Sequence, residues 1–237
     1  MYVSVLSILQ VVSFLLIVKY RFVYKRPLYF IKRMSSYTIM AIAPTVLIPV
    51  VLIIIRGESE NLYGGELTAI IQGSWRLGDA AITAFSGIIS MYFLPKFSRS
   101  NHSEAIRSTL QFLKNIVPIL VVSIIFFNLT AEFWVSLLLT NAMVKEIYFF
   151  KLYVNFAIIK VLCIFLGLHL VSHSKVKLYI LSELIFIVSY FIFFNVFNSI
   201  QLGFYSVAYS YSISIFLTLL TLLMILYHFR KVSSYEI

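Results

Sequence analysis

The chain has 237 residues, of which 61% are hydrophobic and only 12% charged, against about 25% charged residues in a typical soluble domain. That shortage of charge, with a mean hydropathy of +0.97, excludes the soluble classes and defines a polytopic, all-α membrane protein. The net charge of +10 sits in loops between apolar runs, where the positive-inside rule accounts for it, so nucleic acid is not an expected partner.

Seven membrane spans are predicted in chain order. The first, about Tyr2–Val18, is short for a bilayer. No small-residue cleavage site follows it, so it reads as a retained helix. A basic linker (19–33) carries Lys19, Arg21, Lys25, Arg26, Lys32 and Arg33. The second span is Met34–Ile55, with Pro44 and Pro49 inside it. Arg56–Glu66 reads as a polar loop, with Gly64-Gly65 as a turn signal. The third span is Leu67–Leu94. A basic loop leads to the fourth, about Thr109–Leu129, which contains Pro118. In the connection Thr130–Glu146, Trp134 and the leucines at 137–139 suggest an interfacial helix. The fifth, sixth and seventh spans are about Tyr148–Val171, Leu178–Phe197 and Gly203–Tyr227, and the chain closes on a short tail.

Orientation follows from the basic residues. One set of loops carries the linker cations, then Lys96, Arg99 and Arg107, then Lys175 and Lys177, then Arg230 and Lys231. The opposite set carries Arg56, Lys145 and Lys151. The first set is expected to be cytoplasmic, with the C-terminus inside.

The third span holds the main chemical signal. Gln72, Arg76, Asp79, Thr83, Ser86 and Ser90 follow at spacings of four, three, four, three and four, which places all six on one helix face. Gly73, Ala80, Ala84 and Gly87 form a small-residue stripe beside it, where a second helix can pack. Arg or Asp well inside a bilayer costs roughly 2.5–3.5 kcal/mol each, so such residues tend to face a bundle interior or a watery cavity. We expect this face to line a transport route. Arg76 suits an anionic group, because a guanidinium meets phosphate oxygens as a bidentate fork. Asp79 would orient Arg76, or take up a coupling proton or sodium ion. The bland alternative is an Arg76–Asp79 ion pair that only fixes packing.

Lys160, at the centre of the fifth span, is too far from either end to snorkel and should point inward. It is a second candidate for a phosphate contact; the alternative is pairing with a backbone carbonyl or with a carboxylate from another helix. Glu183 is a candidate for charge pairing with Lys175 or Lys177, or for ion coupling. Pro44, Pro49 and Pro118 should kink their spans and serve as hinges. Tyr205, Tyr209 and Ser212 share a face suited to sugars or a hydrated cavity. His169 and His173 are four apart, but no third ligand completes a metal site. The lone Cys163 excludes a disulfide framework. No phosphate-binding loop, catalytic triad or paired catalytic carboxylates occur.

Four stretches in order, QGSWRLGDA (72–80), MYFLPKFSR (91–99), LLLTN (137–141) and KVKLYILSE (175–183), together resemble the bacterial O-antigen and enterobacterial common antigen flippases. These are the polysaccharide transporters of the multidrug/oligosaccharidyl-lipid/polysaccharide exporter superfamily. The resemblance covers about residues 34–237. It implies two six-helix lobes around a cationic cavity that moves undecaprenyl-pyrophosphate-linked glycan between leaflets. The chain would then hold the last helix of a first lobe (1–18), the basic linker (19–33), a six-helix second lobe (34–231) and a cytoplasmic tail (232–237). Gln72, Trp75, Arg76, Asp79, Pro95 and Glu183 fall on motif positions, and Lys160 on a Lys found in some members. Ile71 and Ala81 depart where Trp and Tyr are common, and Ala157 where some members are acidic.

The expected function is thus flipping of a lipid-linked oligosaccharide across the inner membrane by alternating access. Arg76 and Lys160 would attract pyrophosphate; Gln72, Trp75 and Tyr209 would contact sugar. No catalysis and no cofactor beyond a coupling ion are expected. Expected partners are the lipid-linked glycan, membrane lipid and either a separate chain supplying the first lobe or a glycan polymerase; the alternative to a partner lobe is that the chain is a fragment or a truncated reading frame. Two rivals are an ion-coupled small-molecule exporter, whose cavity would be richer in acid, and a membrane-embedded O-antigen polymerase, which would need larger external loops. A retinal-type receptor is excluded because the last span has no Lys for a Schiff base.

Overall fold

The computed structural model describes residues 27–100, 102–139, 141–173 and 175–233. The chain divides into two compact units, Met1–Thr38 and Ile39–Ile237. Of the first unit, residues 27–38 are described and are helical. The predicted first span, linker residues 19–26 and residues 234–237 of the tail lie outside the described residues.

The elements are α1 (Pro27–Arg99), α2 (His102–Leu138), a 3-10 turn (Asn141–Glu146), α3 (Ile147–Ser172), α4 (Val176–Ser199) and α5 (Tyr205–Ser233). No strand occurs among the described residues. Among the described residues, five stretches are long and apolar enough to cross a membrane: Thr38–Phe97, Glu104–Leu138, Met143–Ser172, Val176–Ser199 and Tyr205–Phe229. The protein is an all-α polytopic bundle.

Two sequence expectations need correction. Arg56–Glu66 is not a loop but helix on both sides of one residue, Gly64, whose φ of 83° and ψ of 170° break α1. The glycine pair does mark the turn, but the flanking Glu, Ser and Asn residues continue the helix. The predicted second and third spans are therefore the two arms of α1. A straight helix of 60 residues, the length of Thr38–Phe97, would measure about 90 Å, roughly three times a bilayer's hydrocarbon core; the break at Gly64 separates two arms each long enough to cross. Secondly, 130–138 is not a separate interfacial helix: α2 runs unbroken to Leu138, and Trp134 Nε1 donates to Thr130 Oγ1 one turn back at 3.0 Å.

The break is anchored. The Tyr63 hydroxyl meets Ser206 Oγ at 2.8 Å and donates to Asn198 Oδ1, which ties it to the turn between α4 and α5. Thr68 Oγ1 donates to the Gly64 carbonyl at 2.9 Å, closing the first turn of the second arm. Helical backbone runs through Pro44, Pro49 and Pro95 of α1, where Gly64 is the residue outside helical geometry. Pro118 lies inside α2.

Helices in a bilayer gain nothing from hiding apolar surface against one another, so close contact between small residues and van der Waals packing must hold them. A Cβ on Gly73 would sit 3.0 Å from a Leu139 methyl, and one on Gly78 only 2.9 Å from the Tyr153 ring and 3.1 Å from Ala157 Cβ. The second arm of α1 therefore presses on α3 through Gly73 and Gly78. This corrects the small-residue stripe: Ala80, Ala84 and Gly87 are exposed. At the end holding Lys96, Phe93 packs on Phe112 at 4.1 Å and on Phe165 at 5.1 Å between ring centres, joining α1, α2 and α3. Asn128 and Asn155 exchange amide hydrogen bonds of 3.0 and 3.4 Å between α2 and α3. On α5, Ser206, Ser210, Ser214 and Thr218 recur every four residues and are buried.

Candidate functional site

The charged candidates gather where α1, α3, α4 and α5 meet. Lys160 projects from α3 with its ammonium 4.1 Å from the centre of the Phe186 ring and 5.6 Å from that of Tyr211. Asp79 from α1 and Glu183 from α4 both act on it electrostatically. The Tyr179 hydroxyl lies beside Glu183, one turn earlier on α4. A half-buried lysine at mid-span is held by opposite charge and by the negative faces of aromatic rings. The partner of Glu183 is thus Lys160 rather than Lys175 or Lys177, which are exposed.

Three tyrosines complete the cluster. Tyr153 and Tyr211 stack with ring centres 4.2 Å apart at 14°, and Tyr190 meets Tyr211 edge-on at 5.7 Å. All three are buried. Trp75 of α1 approaches Tyr190, yet the indole N–H and the Tyr190 hydroxyl are both buried without a hydrogen-bond partner among the described residues.

Sequence reasoning missed this tyrosine cluster. Tyr211 enters it, whereas Tyr209 is exposed and lies against Phe197 and Tyr205. Tyr205 donates to Glu146 at 3.4 Å, near the start of α3. A signal did exist: Tyr153, Ala157 and Lys160 are spaced four and three, as are Glu183, Phe186 and Tyr190 in reverse, so each set shares a helix face.

The polar face of the third predicted span is on the outside of the bundle. Arg76, Asp79 and Thr83 are exposed, and Gln72, Trp75, Ser86 and Ser90 are half-buried. Arg76 and Asp79 form no direct ion pair; the electrostatic partner of Asp79 is Lys160. The structure therefore brings Trp75, Asp79, Lys160 and Glu183 together, leaves Arg76 and Gln72 on the adjoining open face, and puts Tyr209 elsewhere. Pro44, Pro49 and Pro118 do not belong to the cluster. His169 bonds Thr109 at 3.3 Å through Nδ1 and packs edge-on against Phe97. No group of three or more metal-ligating side chains occurs among the described residues.

Fold and site together define a membrane-embedded helical protein with a charge cluster where its helices meet and a polar helix face beside it. Over 154 residues the chain is 27% identical to the Lipid III flippase of Escherichia coli (strain K12), covering 64% of this chain and 36% of that protein. The Lipid III flippase of Shigella flexneri matches to the same extent. The chain thus spans little more than a third of the length of the curated relatives it matches, and those relatives are transporters, not enzymes. No protein-family model and no solved structure matches the chain.

Proposed function

We propose that this chain forms part of a flippase for a lipid-linked glycan, and that the polar face of α1 lines the route of the head group. The observation that carries this reading is the juxtaposition of exposed Arg76 with the Asp79–Lys160–Glu183 cluster, on a helix otherwise apolar enough to span a bilayer. An exposed guanidinium without a carboxylate partner is available to a diphosphate. Gln72 and the edge of Trp75 lie on the same side and suit sugar hydroxyls. The similarity to flippases supports the same class. The finer substrate we assign is an undecaprenyl-pyrophosphate-linked oligosaccharide of the O-antigen type, moved across the inner membrane with the C-terminus of this chain cytoplasmic. Because the face is open, a second lobe, on this or another chain, would close the route, and rocking of one lobe on the other would expose it to each side in turn. Asp79 and Glu183 would carry any coupling to protons or sodium.

The test is transport in cells that depend on this protein for surface glycan. Arg76→Ala should lower surface glycan at unchanged protein level, and Arg76→Lys should restore part of it. Unchanged glycan in Arg76→Ala would remove Arg76 from the route.

A further inference from the structure

A groove of about 580 Å³ lies between the second arm of α1 and α2. It is graded in polarity along its length. At the end next to the α1–α2 connection it carries Lys96, Ser108 and Gln111; Asn115 follows one turn further along α2, and the far end is walled by Phe85, Ile88 and Ile119. From Lys96 to Phe85 is about 16 Å along the helix. Ser108, Gln111 and Asn115 stand three and four apart, so they share one face of α2. None of the three makes a side-chain hydrogen bond among the described residues, and the Lys96 ammonium rests only 5.9 Å from the Tyr92 and Phe93 ring centres. Arg99 and Arg107 are exposed at the same end, with Glu104 as a carboxylate between them.

We infer that this groove binds an anionic phospholipid of the surrounding leaflet. Lys96 would meet the phosphate. Gln111, Asn115 and Ser108 would donate to the phosphate and glycerol oxygens, and an acyl chain would lie along Ile88 and Ile119. A cation and two polar side chains at one end of the slot, a third one turn along and apolar walls beyond match the build of a lipid, charged at the head, polar at the glycerol and oily along the rest. The site is distinct from the proposed head-group route. Residues 85, 88, 92 and 96 fall roughly 120–180° around the helix from Arg76. The inference does not rest on the flipping reading.

The experiment uses the whole chain purified in detergent and challenged with dioleoyl phosphatidylglycerol, dioleoyl phosphatidylethanolamine or undecaprenyl phosphate, with bound lipid counted by native mass spectrometry. Phosphatidylglycerol should be retained over phosphatidylethanolamine by roughly fivefold, the weight of one basic side chain at an anionic surface. Lys96→Gln should abolish that preference and Lys96→Arg keep it. Ile88→Trp, which fills the slot from an exposed position, should cut retention of phosphatidylglycerol without changing charge. Lys177→Gln, at an exposed lysine away from the groove, should change nothing. Equal retention of the two phospholipids, an unchanged preference in Lys96→Gln, or undecaprenyl phosphate displacing phosphatidylglycerol at equal concentration would each overturn the assignment.

Discussion

The Lys160 ammonium sits over the face of Phe186, 4.1 Å from its centre, on the same side of the bundle as the carboxylates of Asp79 and Glu183. Three helices thus converge on a single cation. Removing one member of such a group leaves the others uncompensated, which costs more than removing the group together. Lys160→Met should therefore lower the melting temperature of the purified protein more than the double variant Lys160→Met/Glu183→Gln does. The double-mutant cycle should give a coupling of about 0.5–3 kcal/mol. Additive losses would show that the two side chains do not act as a unit.

Arg76 makes the opposite prediction. It is exposed and has no carboxylate partner among the described residues, so Arg76→Ala should change stability by no more than about 0.5 kcal/mol. Thermal unfolding in detergent beside the glycan assay separates a transport role from a folding role. A large drop in melting temperature would assign the guanidinium to packing.

Gly78 touches the Tyr153 ring and Ala157 so closely that no side chain fits without displacing them. Gly78→Ala should cost about 1–3 kcal/mol through overpacking. Gly87→Ala, facing open space, should be neutral or slightly stabilising because alanine favours helix. The pair can be compared by melting temperature in one detergent. Equal behaviour of the two variants would mean that α1 and α3 do not meet at Gly78.

Gly64 adopts φ 83° and ψ 170°, a backbone region that is essentially closed to residues with a Cβ. Gly64→Ala should destabilise by about 1–3 kcal/mol, while Gly65→Ala, with ordinary φ and open surroundings, should be tolerated. A melting curve for Gly64→Ala that overlays the wild type would mean the break lies elsewhere.

The membrane class, the stretches that cross and the polar stripe on α1 were all legible in the sequence, because hydropathy and the 3.6-residue period are local properties. The surroundings of Lys160 were not. Its partners Asp79, Glu183, Phe186 and Tyr211 come from three other helices, and no local spacing says which helices adjoin. For the same reason Tyr209 looked as suitable as Tyr211, two residues on, and only packing separates them. The 56–66 segment was misread because acidic and amide residues mark loops on average, yet they are also acceptable on the polar surface of a continuing helix. Small residues were visible, but which of them face a neighbour depends on where α3 sits, so Gly78 was overlooked and Ala84 was overvalued.

On α5 the hydroxyls of Ser210, Ser212, Ser214, Thr218 and Thr221 each donate to a carbonyl three or four residues earlier in the same helix. They satisfy themselves and ask nothing of adjacent helices. Lengthwise slippage of this rod past α3 and α4 would break none of these five bonds, but it would pull Tyr211 off Tyr153 of α3 and Tyr190 of α4. At its N-terminal end, by contrast, Ser206 is pinned to Tyr63. The helix is thus held to its neighbours by a hydroxyl at its tip and by stacked rings along its shaft, while its hydroxyl ladder from Ser210 onward adds no polar bond between helices.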